Sequence, residues 1–273
     1  MTRLTISNLL LLLSFTGNMV WAQIEQPYPP LNLVSIPTAG TLPRGSFTVE
    51  SLLTKNGGVV PRLSVGFTEN FSFGVSFGVQ NLIGDTKPSV NKTTPEVQIK
   101  YRVFDESQSM PALVYGLDTQ GRGSYHSVDS VFNKLGGSDS TITLNRYDQK
   151  AWGMFMAMSK NWNLFGNLGL HAGIGKSLSE NEDGDKDLNV FCGIDKELNR
   201  TFSLLIEYDA ALNDNDYTLD DITFGKGKGY LNAGIRWAFN PNLMVEINFN
   251  DISQNTRANY TNREIKIMFS ESF

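Results

Sequence analysis

Only one cysteine, Cys192, occurs in the 273 residues, which excludes an intramolecular disulfide framework and any cysteine-based zinc site. Basic residues are not in excess. The 23 Lys and Arg against 28 Asp and Glu give a formal net charge of -5, which rules out a broadly basic surface for nucleic acid. Past the N-terminus no apolar run is long enough to cross a membrane as a helix, and a mean hydropathy of -0.21 argues against a polytopic helical membrane protein. With 40% hydrophobic residues the chain can still bury a core, and its length suits one domain better than two. A soluble β-rich domain or a β-barrel with apolar residues hidden in alternation is what remains.

The first residues have the pattern of an export signal. Arg3 supplies a positive start, Leu9 to Leu13 an apolar run, and Val20-Trp21-Ala22 small residues at a cleavage site before Gln23. Ser7, Asn8, Ser14, Thr16, Gly17 and Asn18 break the apolar span short of the roughly 20 residues that a spanning helix needs. Residues 1–22 are therefore expected to be removed. The next stretch, 23–45, opens with Gln26-Pro27-Tyr28-Pro29-Pro30, which cannot pair as a central strand. It is expected to be either a periplasmic arm or an extended segment entering the barrel.

From residue 46 to 273 the chain alternates with a period of two. Pro95 to Val103 sets Val97, Ile99, Tyr101 and Val103 against Glu96, Gln98, Lys100 and Arg102. Asn70 to Val79, Thr201 to Asn213, Tyr230 to Phe239 and Leu243 to Asn250 repeat the pattern. Strands of this kind cannot fill both faces of a dry core, because the charged face must meet water or other charges. About twelve such segments occur, at Ser46 to Leu53, Val60 to Phe67, Asn70 to Leu82, Pro95 to Phe104, Pro111 to Thr119, Ala151 to Ser159, Asn163 to Gly175, Asp187 to Asp195, Thr201 to Asn213, Gly229 to Phe239, Leu243 to Asp251 and Glu264 to Phe273. Their even number and roughly 10-residue length suit a bacterial transmembrane barrel.

Connections between them alternate. Short ones fall at Thr68-Glu69, Asp105 to Met110, Lys160 to Trp162, Lys196 to Arg200 and Asn240 to Asn242. Long ones run over Ile83 to Thr94, Gln120 to Lys150, Lys176 to Lys186, Asp214 to Lys228 and Ile252 to Arg263, with the tight turn at Asn56-Gly57-Gly58 as the exception. Short periplasmic turns and long external loops are the topology of an all-β, antiparallel outer-membrane barrel. The last segment places Ile265, Ile267, Phe269 and the terminal Phe273 on one face. Such a closing strand resembles the signal by which the outer-membrane assembly machinery receives its substrates. The outer membrane of a Gram-negative bacterium is the expected location, with its lipid and lipopolysaccharide as surroundings and periplasmic envelope proteins as partners.

Reading the polar faces as inward collects seven acids, Glu50, Glu96, Asp118, Glu207, Asp209, Glu246 and Glu264, and five bases, Arg62, Lys100, Arg102, Arg236 and Lys266. Two readings follow. The charges form an internal ion-pair network that satisfies the inward groups. Alternatively they line a narrow polar pathway, with Arg62, Lys100, Arg102 and Arg236 as a cation ladder for an anionic or sugar-like solute and Glu207, Asp209 and Glu246 facing it.

Catalytic patterns are sparse, and no cofactor or metal is expected. His126 falls in an external loop and His171 on the inward face of its strand, with no serine evident beside it. A lipid hydrolase would need serine and base together on the lipid-facing side, so the expectation is a non-enzymatic barrel. Asn181 to Asp187 is acidic but lacks the 12-residue loop and terminal Glu of an EF-hand, leaving a solvated loop or a weak divalent-ion site. Gly225-Lys226-Gly227-Lys228-Gly229 lacks the spacing of a phosphate loop and reads as a basic entry to a strand that touches lipopolysaccharide phosphates.

The run Ile36-Pro37-Thr38-Ala39-Gly40, followed by Arg44-Gly45-Ser46-Phe47 and a first strand, resembles the start of the YjbH-like outer-membrane proteins associated with exopolysaccharide production. Tyr208 to Asp214 and Gly229 to Trp237 are similar to the same type of barrel. The resemblance implies a barrel linked to polysaccharide export, assembly or the cell envelope, and it carries no catalytic residues. A stand-alone channel for small polar or anionic solutes is the alternative.

Overall fold

The computed structural model describes residues 30–133, 139–215, 224–256 and 262–273. The expected export signal and the first part of the proline-rich arm lie outside them. Strand pairing follows the alternation. Among the described residues twelve strands form the barrel: β1 (Ser46–Thr54), β2 (Gly58–Gly66), β3 (Phe71–Ser76), β6 (Glu96–Phe104), β7 (Ala112–Asp118), β10 (Gly153–Asn163), β11 (Asn167–Lys176), β12 (Asn189–Glu197), β13 (Phe202–Asp209), β14 (Tyr230–Ala238), β15 (Leu243–Asn250) and β16 (Asn262–Ser272). Each overlaps one of the twelve segments expected from sequence. All neighbouring pairs are antiparallel, and β1 closes the sheet on β16, from Ser46 opposite Ser272 to Leu53 opposite Ile265.

The remaining strands lie in two loops. β4 (Val79–Gln80) and β5 (Ser89–Val90) form a small extension beside β2. β8 (Arg122–Asn133) and β9 (Asp139–Gln149) pair, among the described residues, only with each other, and form a hairpin within the long external loop expected at Gln120 to Lys150. Three strand ends also differ from expectation. β3 stops at Ser76; β13 stops at Asp209 and gives way to a 3-10 turn at Leu212–Asp214; and β10 runs through Lys160 to Trp162, so that its hairpin turns at Leu164 to Gly166. Phe165 and Gly166 both take positive φ there, 48° and 95°, which a glycine makes affordable.

The short connections share one end with Gly45 and Phe273, and recurring side-chain acceptors fix them. Thr68 Oγ1 accepts from the Phe71 N–H at 3.0 Å; Asn199 Oδ1 from those of Thr201 and Phe202 at 2.8 and 2.9 Å; and Asn240 Oδ1 from those of Asn242 and Leu243 at 2.9 and 2.8 Å. Each is a turn built by a small polar residue that bonds its own backbone.

Val49, Leu63, Tyr115, Ile194, Ile235 and Ile267 are exposed on the outside, while Glu50, Glu96, Lys100, Glu207, Arg236, Glu246 and Lys266 are buried inside. A closed barrel with an apolar skin and a charged interior is inverted for water and matched to lipid. The protein is an outer-membrane β-barrel.

Candidate functional site in the barrel lumen

The described part of the proline-rich arm is inside the barrel. Residues 30–44 fold back on themselves, with the Leu33 N–H donating to Ile36 O at 3.0 Å and the Thr38 N–H to Leu31 O at 3.1 Å. Leu33, Val34, Ile36 and Ala39 pack on Val114, Phe155, Ala157, Phe191 and Leu205 of the wall. Gly193 makes the approach feasible: a Cβ there would sit 2.5 Å from Leu33 Cδ1 and 2.8 Å from Ile36 Cδ1. These apolar inward positions interrupt the charged lining and form the seat of a plug.

Four of the twelve predicted lumen charges, Lys100, Glu207, Arg236 and Lys266, bond this plug directly. Lys100 Nζ donates to the carbonyl oxygens of Leu31, of Thr38 at 3.0 Å and of Gly40 at 3.3 Å. Arg236 Nη2 donates to Asn32 O at 3.3 Å and Lys266 Nζ to Leu33 O at 3.1 Å. Strand register places Arg236 opposite Glu246 and Glu246 opposite Lys266, so Glu246 takes a 2.6 Å contact from each base. Glu207 holds the plug tip. Its carboxylate accepts from the N–H groups of Val34, Ser35 and Ile36 at 2.9, 2.8 and 3.1 Å, from Asn232 Nδ2 at 2.7 Å and from the Ser35 hydroxyl. Successive backbone donors converging on one carboxylate form an anion nest.

The other predicted residues act elsewhere. Arg62 on β2 pairs with Asp118 on β7, over the inner face of β3 and β6, at 3.3 Å. Asp209 accepts from Asn189 Nδ2 at 2.6 Å and from the Ala211 N–H at 2.9 Å, which stabilises the turn after β13. Arg102 leaves the ladder, because its side chain turns to Asp105 at 2.9 Å and to Glu69 O at 2.7 Å at the periplasmic rim.

The β8–β9 hairpin supplies groups that sequence reasoning missed. Arg122 reaches in to pair with Glu264 and donates to Val34 O at 3.0 Å. Burial works against its charge, yet Glu264 more than offsets this and the guanidinium is held above its ordinary pKa. Arg146 is buried between Asp183 at 2.7 Å and Asp214 at 2.8 Å, and Lys150 reaches Asp183 at 2.7 Å. Asp183 belongs to the acidic loop read as solvated or ion-binding; it is an ion-pair residue, with burial pushing its pKa up despite Lys150 and Arg146. Among the described residues no cluster of three or more His, Cys, Asp or Glu is placed to hold a metal ion.

Plug and hairpin leave a cavity of about 90 Å³ bordered by Glu50, Arg62, Asp118, Arg122, Asp209 and Lys266. A water needs about 10–15 Å³ on such a measure, so the space holds a few waters. Lower in the lumen, His171 does have a serine beside it, contrary to the sequence reading: Ser159 Oγ lies 2.7 Å from Nδ1, and Asp195 Oδ1 lies 2.7 Å from Nε2.

No protein-family model matches the chain, and no curated protein matches it. Among solved structures it is similar to the KdgM porin, at 10% identity over 84% of this chain and 99% of that one, with a TM-score of 0.47. It is similar to the NanC porin at 11% identity over 83% and 99%, with a TM-score of 0.44. It is also similar to the outer membrane protein Omp33 of Acinetobacter baumannii at 9% identity over 84% and 97%, with a TM-score of 0.42.

Proposed function

We propose that this outer-membrane barrel is a gated channel for a polar or anionic solute, stoppered at rest by its own residues 30–44. One observation carries the reading: Lys100, Arg122, Arg236 and Lys266 spend hydrogen bonds on backbone carbonyls of the plug. Those carbonyls are weaker partners for a buried cation than a carboxylate or phosphate. Withdrawal of the plug would free Lys100 and leave Arg122, Arg236 and Lys266 lining the bore beside Glu264 and Glu246, each with donors to spare for a solute. Exopolysaccharide export or assembly is the role this reading favours, since Ile36 to Gly40, the run that carries the resemblance to the YjbH-like proteins, belongs to the plug itself.

Single-channel conductance of the full chain tests the proposal, with insertion established by heat-modifiable gel mobility. The wild type should insert and pass no steady current, and Glu207→Ala should open it with anion preference. Steady current through the wild type, or an inserted Glu207→Ala barrel that stays closed, would overturn the stopper. Liposome swelling with uronic acids and with neutral sugars of equal size then separates an anionic from a neutral saccharide cargo.

A further inference from the structure

Ser159, His171 and Asp195 enter the lumen from three adjacent strands, β10, β11 and β12, and are 6%, 5% and 7% exposed. Both links of the chain are 2.7 Å. Gly169 lets the second link close, for a Cβ there would stand 2.1 Å from Asp195 Oδ1 and 2.9 Å from His171 Nε2. Nucleophile, base and orienting carboxylate are thus in hydrogen-bond order. The plug covers them: the Ala39 N–H donates to Ser159 Oγ at 2.8 Å, and Lys100 Nζ holds the carbonyls of Thr38 and Gly40 on either side.

We infer that Ser159, His171 and Asp195 form a latent esterase centre, silenced by the plug and uncovered when it withdraws, whose substrates are acyl esters of hydroxylated solutes that enter the lumen. The inference rests on the stopper reading for access. An acceptor for the Ala39 N–H requires only a hydroxyl; a histidine and a carboxylate aligned behind it make that hydroxyl basic. With Nε2–H donated to Asp195, the Nδ1 lone pair faces the serine. Ser159 Oγ adds to the ester carbonyl carbon while its proton passes to Nδ1, and the carbonyl π pair moves onto oxygen. Lys100, whose Nζ holds the carbonyls of Thr38 and Gly40 on either side of Ala39, is freed by the withdrawal to face that oxyanion. Collapse breaks the bond to the alcohol oxygen, which leaves with the proton from His171, and the acyl group stays on Ser159. Water, deprotonated by His171, then adds to the acyl carbonyl; collapse expels Ser159 Oγ, which regains its proton, and frees a carboxylic acid. No oxidant or cofactor enters the balance.

The test uses the full chain in liposomes, a serine-directed fluorophosphonate, location of the adduct by mass spectrometry, and hydrolysis of p-nitrophenyl acetate. Labelling of Ser159 should be slow in the wild type and about a hundredfold faster in Glu207→Ala, where the plug is loosened. In the Glu207→Ala background His171→Gln should abolish labelling and turnover. Asp195 is a positioning residue, so Asp195→Asn should lower kcat with KM unchanged, whereas a merely structural role would leave that split unmoved. Absence of an adduct on Ser159 in the Glu207→Ala protein overturns the esterase. Conductance of the same sample shows whether the stopper falls with it: an open, unlabelled barrel removes the esterase alone, and a closed one removes both.

Discussion

Replacing Glu207 by alanine is the sharpest perturbation of the plug. Glu207 is 1% exposed, and its carboxylate is the acceptor for three successive backbone amides, Val34, Ser35 and Ile36. Truncation leaves all three without a partner, at about 1–3 kcal/mol for each buried donor. Water from the neighbouring cavity recovers part of this, and the expected net loss is about 3–5 kcal/mol, as for breaking a buried charge arrangement. Leu33 and Ile36 still favour the docked state, each worth about 1.5–3 kcal/mol, so the loosened plug re-docks and the variant barrel opens intermittently instead of standing permanently open. At 1.4 kcal/mol per decade the amides of residues 34–36 should exchange with deuterium at least about a hundredfold faster. Hydrogen exchange followed by mass spectrometry on liposome-inserted protein reads this directly. Unchanged exchange at Val34, Ser35 and Ile36 in a folded Glu207→Ala barrel would refute the nest as the plug's anchor.

Three further outcomes follow from named contacts. Arg146→Met leaves Asp183 and Asp214 buried without their shared cation and should cost about 3–5 kcal/mol, confined to the external cap, so that β9 becomes open to protease while heat-modifiable mobility is unchanged. Gly193→Val drives a side chain into Leu33 and Ile36 and should weaken plug docking by about 1–3 kcal/mol, read as roughly a tenfold rise in open probability. Asp148 gives a pH signature: burial alone would raise its pKa, but the His126 hydrogen bond, Lys55 and the Ser124 N–H hold it below the usual carboxylate range. The stability it contributes to the hairpin is present above about pH 4 and lost as pH falls through its depressed value. Glu180, raised by burial, acts in the opposite sense and gains stability as pH falls, so the difference between wild type and Asp148→Asn isolates the effect. Protease nicking of the hairpin across that pH range should show the wild type losing protection in acid and Asp148→Asn showing a flatter profile.

The barrel was legible because a membrane enforces a period of two. In β6 lipid selects Val97, Ile99, Tyr101 and Val103 for one face and leaves Glu96, Gln98 and Lys100 inside. The β8–β9 hairpin stands outside that constraint, a two-stranded sheet of its own among the described residues, and lipid imposes no alternation on it. The same logic divides the site. Which residues point inward is a property of one strand, and Lys100, Glu207, Arg236 and Glu246 were found from it. What each one touches is a property of chain folded back from far away: Glu207 meets Val34, 173 residues distant. No local pattern encodes such a pair, since a plug enclosed on all sides shows no polar face.

Ser159 and His171 show how a local error becomes a functional one. Placing the hairpin turn at Lys160 to Trp162 centres it on Asn161 and pairs Ser159 with Asn163. The strand in fact runs on to Asn163, the centre moves to Phe165, and Ser159 falls opposite His171. Register is set by turn geometry, and the feature that sets it here is Gly166 at positive φ, not the polar residues before Trp162. A glycine flanked by alternating strands was therefore the readable signal, and weighting it above polarity would have brought serine and histidine together from sequence. It would still not have supplied the Ala39 N–H, which reaches Ser159 from a segment 120 residues away and whose withdrawal decides whether that serine can meet a substrate.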